Sequence, residues 1–369
     1  MLQTILVYSL LTLFMFVLCK VGKENQKWIC VLFAVFLYSI IFGVRFGVGM
    51  DYFSYLDAYQ NGENSILNKE PGFIFLINFL RSLNAHFSIF FGIVAFVQLA
   101  LCFRLVKRVP DVYPWLVLTF MLGGQWLVFG NGLRQEVAFA IFVVSLSFLN
   151  TGATKKDYLI HFLFILLAIA FHSSAKILII VSLVLIIKKE WFHTIWIQLV
   201  VYFIVLFLPS QNNITAFFDR FDFLIDFFGY DRYLDLPSNE SFIYRDIERR
   251  AGFFITQIIN LICICYSNKV KSYYKEQIPV LSIYNLYFFG ILWSSLFGGS
   301  LVLNRINYYF YQFQFIFSAI TMAYLYEKKK ESMYCFYLLL ICYLLLFVAT
   351  LYRAETNTAL YRVFWEVLS

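Results

Sequence analysis

The chain has 369 residues, 62% of them hydrophobic and 14% charged, with a formal net charge of +7. Soluble domains run closer to half apolar and a quarter charged, so this balance excludes an ordinary soluble enzyme. The positive charge comes from short basic loops between apolar runs and calls for no nucleic-acid partner.

Apolar runs of about 17–20 residues, the length needed to cross a bilayer, recur from end to end. They predict an all-α, polytopic integral membrane protein of about twelve transmembrane helices. Span 1 is expected over 2–19; it lacks a basic leader and an Ala-x-Ala site and so reads as a span rather than a cleaved signal. Span 2 follows over 28–44. A polar stretch, 45–70, leads to an apolar piece, 71–83, that is too short to cross. Spans 3, 4 and 5 are expected over 87–103, 113–129 and 133–149. Spans 6 and 7, over 158–171 and up to 187, are separated by a break at His172-Ser173-Ser174. Span 8 covers 194–208, span 9 covers 252–266, span 10 covers 279–297, span 11 covers 306–326 and span 12 covers 334–352. No internal repeat stands out, and residues 1–369 read as a single transmembrane domain.

Lysine clusters mark alternate loops: 20–27, 104–108 (with arginines), 155–156, 188–189, 269–275 and 328–330. The positive-inside rule makes those six loops cytoplasmic and turns the other loops and both termini outward. Fourteen of the sixteen lysines lie in the cytoplasmic loops, Lys69 and Lys176 being the exceptions. Nine arginines lie in outward segments ahead of the C-terminal tail: Arg45, Arg81, Arg134, Arg220, Arg232, Arg245, Arg249, Arg250 and Arg305. Lysine is a point charge; arginine is a planar fork that binds phosphate or carboxylate through two parallel hydrogen bonds. The split points to an anionic ligand handled on the outer face, with drift in loop composition as the simpler reading.

The outward loop 209–250 carries Phe217, Phe221, Ile225 and Phe228 at helical spacing opposite Asp219, Asp222 and Asp226. That pattern predicts an amphipathic helix in the interface, as a lid or as a helix packed on the bundle. The seven cysteines lie within spans or at their ends. Cys263 and Cys265 fall on different helix faces, so neither a metal site nor disulfides are expected.

The outward polar groups form a constellation. Between two long apolar runs, Gly130-Asn131-Gly132-Leu133-Arg134-Gln135-Glu136 combines a tight turn with a guanidinium, an amide and a carboxylate. A charge at such depth usually faces a protein-lined cavity and works there; the alternative is a boundary arginine reaching to water. To it are added Arg45-Phe46-Gly47-Val48-Gly49-Met50-Asp51-Tyr52, Glu70-Pro71-Gly72-Phe73, Phe171-His172-Ser173, and Asn304-Arg305 with Tyr308-Tyr309-Phe310. These residues, in this order, resemble the motifs of the EpsG/Wzy family of bacterial polysaccharide polymerases. That family carries an arginine–glycine stretch ending in Asp-Tyr after an early span, a Glu-Pro pair, an Arg-Gln pair opening a span, a Phe-His break, and an arginine followed by Tyr-Phe near the end. Met50 stands where Thr is common. The Pro-Tyr that often closes the family is represented only by Leu360-Tyr361-Arg362.

The resemblance implies an O-antigen or similar repeat-unit polymerase with a GT-C-like membrane glycosyltransferase architecture. Such an enzyme sits in the bacterial inner membrane with its active site facing the periplasm. It moves a growing glycan from undecaprenyl diphosphate onto another lipid-linked repeat unit, uses no nucleotide sugar, and is expected to have a chain-length-regulating co-polymerase as partner. No cofactor is expected.

That chemistry asks for three things. Charge developing on the diphosphate leaving group is offset by fixed cations: Arg134 and Arg305 first, with Gln135 beside them and Arg45, Arg249 and Arg250 behind. No Asp-x-Asp motif falls in a plausible place, so arginines would replace a metal. The acceptor hydroxyl needs a base if transfer is a direct displacement. His172, Asp51, Glu70 and Glu136 are candidates; His172 starts from a suitable pKa and sits at a span break. Asp51 and Glu70 could equally orient arginines. His86, His161 and His193 read as structural. Sugars need stacking surfaces, for which Tyr52, Tyr308 and Tyr309 are the nearest aromatics. Competing functions are an O-antigen ligase, which shares donor and architecture; a lipid-linked oligosaccharide flippase, which would want pseudo-repeats and charges through both halves; and a multi-span sugar O-acetyltransferase.

Overall fold

A computed structural model describes residues 1–62, 70–187, 190, 193–208, 251–354 and 359–365. It is 83% helical, and the only strand-like pairing among the described residues is one antiparallel bridge between Arg45 and Val363. In a chain this apolar, helices are the economical answer, because each backbone N–H and C=O finds its partner within the segment.

In chain order the helices are α1 (Leu2–Glu24), α2 (Trp28–Val44), α3 (Tyr52–Asn61), α4 (Pro71–Ser82), α5 (Phe87–Leu105), α6 (Tyr113–Leu122), α7 (Gln125–Asn131) and α8 (Leu133–Ser145). There follow α9 (Lys155–Phe171), α10 (Ile177–Ile186), α11 (Ile195–Phe207), α12 (Ala251–Tyr274), α13 (Val280–Phe297), α14 (Leu301–Tyr311), α15 (Phe313–Glu327) and α16 (Lys329–Tyr352). Among the described residues, five stretches are long and apolar enough to cross a membrane alone: α1, α5, α12, α13 and residues Ser332–Tyr352 of α16. Residues Pro110–Leu122 with α7 make a sixth if that bent pair is one span. Shorter apolar helices include α2, Ser173–Ile186 and α11. The protein is thus a multi-pass helical membrane protein. The expected amphipathic helix of 209–250, with Arg249 and Arg250, lies outside the described residues.

Two expected spans are not straight rods. The run 113–129 bends by 70° at Gly123-Gly124, where Gly124 adopts φ 72, a left-handed conformation that costs glycine no Cβ clash. The Trp126 indole N–H donates to the Met121 carbonyl at 3.1 Å, satisfying an acceptor near the break. Span 11 is interrupted at Gln312, between α14 and α15. The break at His172 falls as expected, with α9 ending at Phe171 and one 3-10 turn, Ser173–Lys176, leading into α10. Helix starts are capped locally: Thr154 and Asp157 form a reciprocal capping box on α9, and Ser300 accepts from the Leu303 N–H on α14.

The bundle has two distinct ends. Lys23, at the foot of α1, lies 2.9 Å from both Asp111 and Glu327. Thr151 donates to the Lys275 carbonyl at 3.2 Å, and Lys271 pairs with Glu190. These contacts join the lysine loops to one another. Thr4, nineteen residues before Lys23 and so about 28 Å away along α1, accepts from the Tyr361 N–H at 3.1 Å. At that opposite end the C-terminal segment 359–365 packs across α1 and α2: Phe46 N–H donates to the Arg362 carbonyl at 2.8 Å, and the Tyr361 hydroxyl donates to the Ile41 carbonyl at 3.1 Å. Tyr361 also meets Tyr8 edge-on. The tail is part of the packed structure.

A candidate active site at the end of the bundle opposite the lysines

Glu70 is the centre of the site. It caps the short helix α4, whose first residue is Pro71, where a missing N–H costs nothing. Its carboxylate is 2% exposed. One oxygen, Oε2, accepts from Nη1 of Arg134 at 2.6 Å. The other, Oε1, accepts from Nδ1 of His172 and from the Ser173 backbone N–H at 3.3 Å. A carboxylate at such a place is held by opposite charge and hydrogen bonds, without which its burial would be costly. Because the carboxylate only accepts, Nδ1 of His172 carries the hydrogen and Nε2 is left as the nitrogen able to take a proton.

Three separate stretches deliver these groups. Arg134 stands in the first turn of α8, 9% exposed, with its guanidinium 5.9 Å from the ring centre of Tyr55. His172 is the residue where α9 stops, in extended conformation, which frees its side chain to turn towards Glu70. Arg305, half-buried on α14, lies within charge–charge range of His172. The Gln135 amide donates to the backbone carbonyl of Arg305, so the neighbouring residues 134 and 135 tie α8 to Glu70 and to α14. The next residue, Glu136, accepts from Gln312 at 2.7 Å, at the junction of α14 and α15.

The structure separates the remaining candidates. Arg45 is 2% exposed and donates to the Gly130 carbonyl at 2.7 Å. Its guanidinium lies 4.9 Å from the Phe42 ring and 5.7 Å from that of Phe91. It braces the turn at Gly130-Asn131-Gly132 from inside rather than presenting a free cation to a diphosphate. That arrangement explains Gly130: a Cβ there would stand 2.2 Å from Nη1 of Arg45. Tyr52 is fully buried, stacked on Phe91 at 4.7 Å, with its hydroxyl donating to the Arg45 carbonyl, so neither ring face is left for a sugar. Tyr309 is also fully buried, its hydroxyl 3.2 Å from Ser174 Oγ. Tyr308 remains half-buried, in the field of Arg305, Asp51 and Glu136. Asp51 is half-exposed, and its backbone N–H is held by Asn131 Oδ1 at 2.9 Å; among the described residues its carboxylate forms no ion pair. Gln135, 7% exposed, spends its amide on the Arg305 carbonyl, which makes it a support of the site. Glu136 is fully buried against Gln312, away from any accessible base position.

Gln98 and Gln312 were passed over in the sequence. Gln98 donates to the carbonyls of Phe129 at 3.3 Å and Leu133 at 3.2 Å, spanning the turn between α7 and α8. Gln98 is a lone amide inside an apolar run and Gln312 stands with Gln314 among aromatics, and an amide buried at membrane depth has to find a partner across the bundle. The other histidines sit apart from the cluster: His86 caps α5, and His161 faces the Ser145 carbonyl at 3.2 Å. His193 lies 3.3 Å from Glu190 among the lysine loops. Among the described residues no group of three or more His, Cys, Asp or Glu could hold a metal ion.

The chain is thus a polytopic helical protein that buries a carboxylate–arginine–histidine cluster. The chain belongs to the EpsG family, whose model matches residues 28–363. The match takes in every element of the cluster and the packed tail up to Val363, and it points to a polymerase-type function in polysaccharide biosynthesis. Neither a curated protein nor a solved structure matches the chain.

Proposed function

We propose that this protein is a repeat-unit polymerase that transfers a glycan from a polyprenyl diphosphate onto a second lipid-linked repeat unit at the outer face of the bacterial inner membrane. The observation that carries the reading is the Glu70 carboxylate shared between Arg134 and His172, with Arg305 across from them, at the end of the bundle remote from the lysine loops. Family membership supports the polymerase class. Under this reading the molecule has about twelve spans and a GT-C-like architecture, with the cluster opening to the periplasm.

The reaction breaks the bond between the anomeric carbon and the diphosphate oxygen and forms a bond from that carbon to an acceptor hydroxyl oxygen. The diphosphate leaves with the bonding electron pair, and negative charge grows on it. Arg305 and Arg134 stabilise that charge as it develops. Nε2 of His172 takes the hydroxyl proton; Glu70 fixes the tautomer and supports the imidazolium that results, as a carboxylate does for any histidine base. Glu70 is thereby an orienting group rather than the base. Asp51 and Tyr308, both half-exposed nearby, are placed to bind sugar hydroxyls. Arg249 and Arg250 supply further phosphate contacts, and a co-polymerase sets chain length.

The test is purified full-length protein in liposomes with polyprenyl-diphosphate-linked repeat units. A ladder of lengthened glycans without nucleotide sugar or added metal is the expected outcome. Transfer only to a lipid A core acceptor would identify a ligase instead, and movement of the intact lipid across the bilayer with no new glycosidic bond would identify a flippase.

A further inference from the structure

We infer that the groove between α10, α13 and α14 seats the proximal isoprene units of the donor's polyprenyl chain, placing its diphosphate at Arg305; the inference rests on the polymerase reading above. A cavity of about 550 Å³ lies there, walled by Val181 and Leu185 of α10, Leu286 and Trp293 of α13, and Ile306 and Phe310 of α14. Among the described residues of its lining, Asn285 is the only polar one and none is charged. A water-soluble sugar or nucleotide would find almost nothing to hydrogen-bond there, whereas a hydrocarbon chain would lose nothing by entering.

Charge gathers at one end of the groove. Arg305 directly precedes Ile306 of the wall, and Lys176 directly precedes Ile177 at the top of α10. His172 stands one 3-10 turn before that point. An apolar slot with cations at its mouth complements an amphiphile with an anionic head, and here the mouth is the proposed site of diphosphate departure. The Trp293 indole N–H donates to the Leu303 carbonyl at 3.1 Å, closing α13 onto α14 just beside that mouth.

From Ile177 to Leu185 the wall descends eight residues, about 12 Å, from the site toward the lysine loop 188–189. The groove opens sideways: Ile180 and Phe289 of the lining are 54% and 44% exposed, facing where lipid would lie. A lipid-linked donor could slide in from the bilayer with its head at Arg305 and leave the remainder of its tail outside. An unbranched phospholipid chain is the competing occupant, and the experiment separates the two.

The probe is a polyprenyl diphosphate carrying a benzophenone near its first isoprene units, irradiated with the full-length protein in phosphatidylglycerol-containing liposomes. Adducts are expected on residues 177–185 and 285–293. Excess unlabelled polyprenyl diphosphate should abolish them, and added phosphatidylglycerol should not. Val184→Trp and Ile180→Trp, both at the exposed rim where the larger ring fills space rather than displacing the core, should each lower labelling at least tenfold. Adducts mapping elsewhere, equal competition by phosphatidylglycerol, or native labelling in both variants would overturn the assignment. The same preparations are assayed for the glycan ladder. A ladder with adducts outside the groove removes the groove alone; no ladder and no saturable labelling from the unsubstituted protein removes the polymerase reading and the groove with it.

Discussion

Glu70→Gln tests the centre of the site most directly. The carboxylate accepts from three donors: Arg134 Nη1 at 2.6 Å, the Ser173 N–H at 3.3 Å, and His172 Nδ1. A glutamine has one acceptor oxygen, so in either amide orientation its NH2 faces at least one of those donors. In either orientation the neutral amide leaves a guanidinium that is 9% exposed without its counter-ion; removing one partner of a buried pair costs about 3–5 kcal/mol. If the NH2 faces His172, the imidazole loses the acceptor that holds the Nδ1–H tautomer, and general-base catalysis, worth about 10²–10⁴-fold, falls with it. The expected phenotype is membrane-inserted protein whose ladder formation drops on the order of 10²–10⁴-fold and whose denaturation midpoint is lowered. A double-mutant cycle with Arg134→Gln separates the two losses, since contacting residues in one network couple by about 0.5–3 kcal/mol. Glu70→Gln protein that elongates glycans at the native rate would refute the orienting role. Additivity with Arg134→Gln in stability would show that the ion pair is not coupled as the geometry requires.

Arg305→Ala and His172→Ala should each leave protein in the membrane and single repeat units on the lipid, read by glycan electrophoresis; long chains from both variants would defeat the site assignment. Gly130→Ala puts a Cβ 2.2 Å from Arg45 Nη1 and should cost about 1–3 kcal/mol through overpacking, measured as a lower midpoint of detergent-solubilised protein; Arg45→Met in the same chain should restore part of it. Lys20→Ala removes an exposed pair with Glu24 at 3.9 Å and should leave ladder formation unchanged, so a large loss there would contradict the division of labour between the two ends. A cysteine at Ser173 should react with membrane-impermeant maleimide added from outside the cell and one at Lys156 only after the inner face is opened; the reverse pattern would invert the proposed orientation.

What could be read in the sequence was the anomaly of charge in an apolar chain. Arg134 stands out because a charge at that depth is expensive unless partnered, Glu70 and His172 through the motifs that resemble the EpsG/Wzy family, and the structure brings these three together. The fate of Arg45 and Tyr52 could not be read the same way. Their residue types and motif context match those of Arg134 and Tyr308, and only the close approach of Gly130 and Phe91 decides that they are buried. The bend at Gly123-Gly124 was visible as two glycines but hidden by the continuous hydropathy of 113–129, which measures length and not direction. Gln98 and Gln312 were legible in principle, as amides in largely apolar or aromatic runs, but their partners lie 31 and 176 residues away, a distance no local pattern carries.

The two ends of the bundle use charge for different purposes, and the residue types follow from that. At the lysine end the contacts are compact and pairwise: Lys23 between Asp111 and Glu327, and Lys271 on Glu190. The partly exposed pairs of Lys23 contribute little stability, whereas the Lys271 side chain is buried; the value of the lysines lies in keeping ammonium groups on the side they cannot easily leave. At the other end the cations are arginines set among aromatic rings and carbonyls, where a planar, weakly hydrated guanidinium can be buried without losing its proton. Arg134 and Arg45 show the two outcomes within a few residues of one turn. Arg134 is held by a carboxylate that also holds a histidine, so its charge is tied to a group that can move a proton. Arg45 is held by a carbonyl and by rings, so its charge serves shape. A chemical role requires the first kind of setting, and among the described residues the cluster around Glu70 is where a histidine, an arginine and a carboxylate share it.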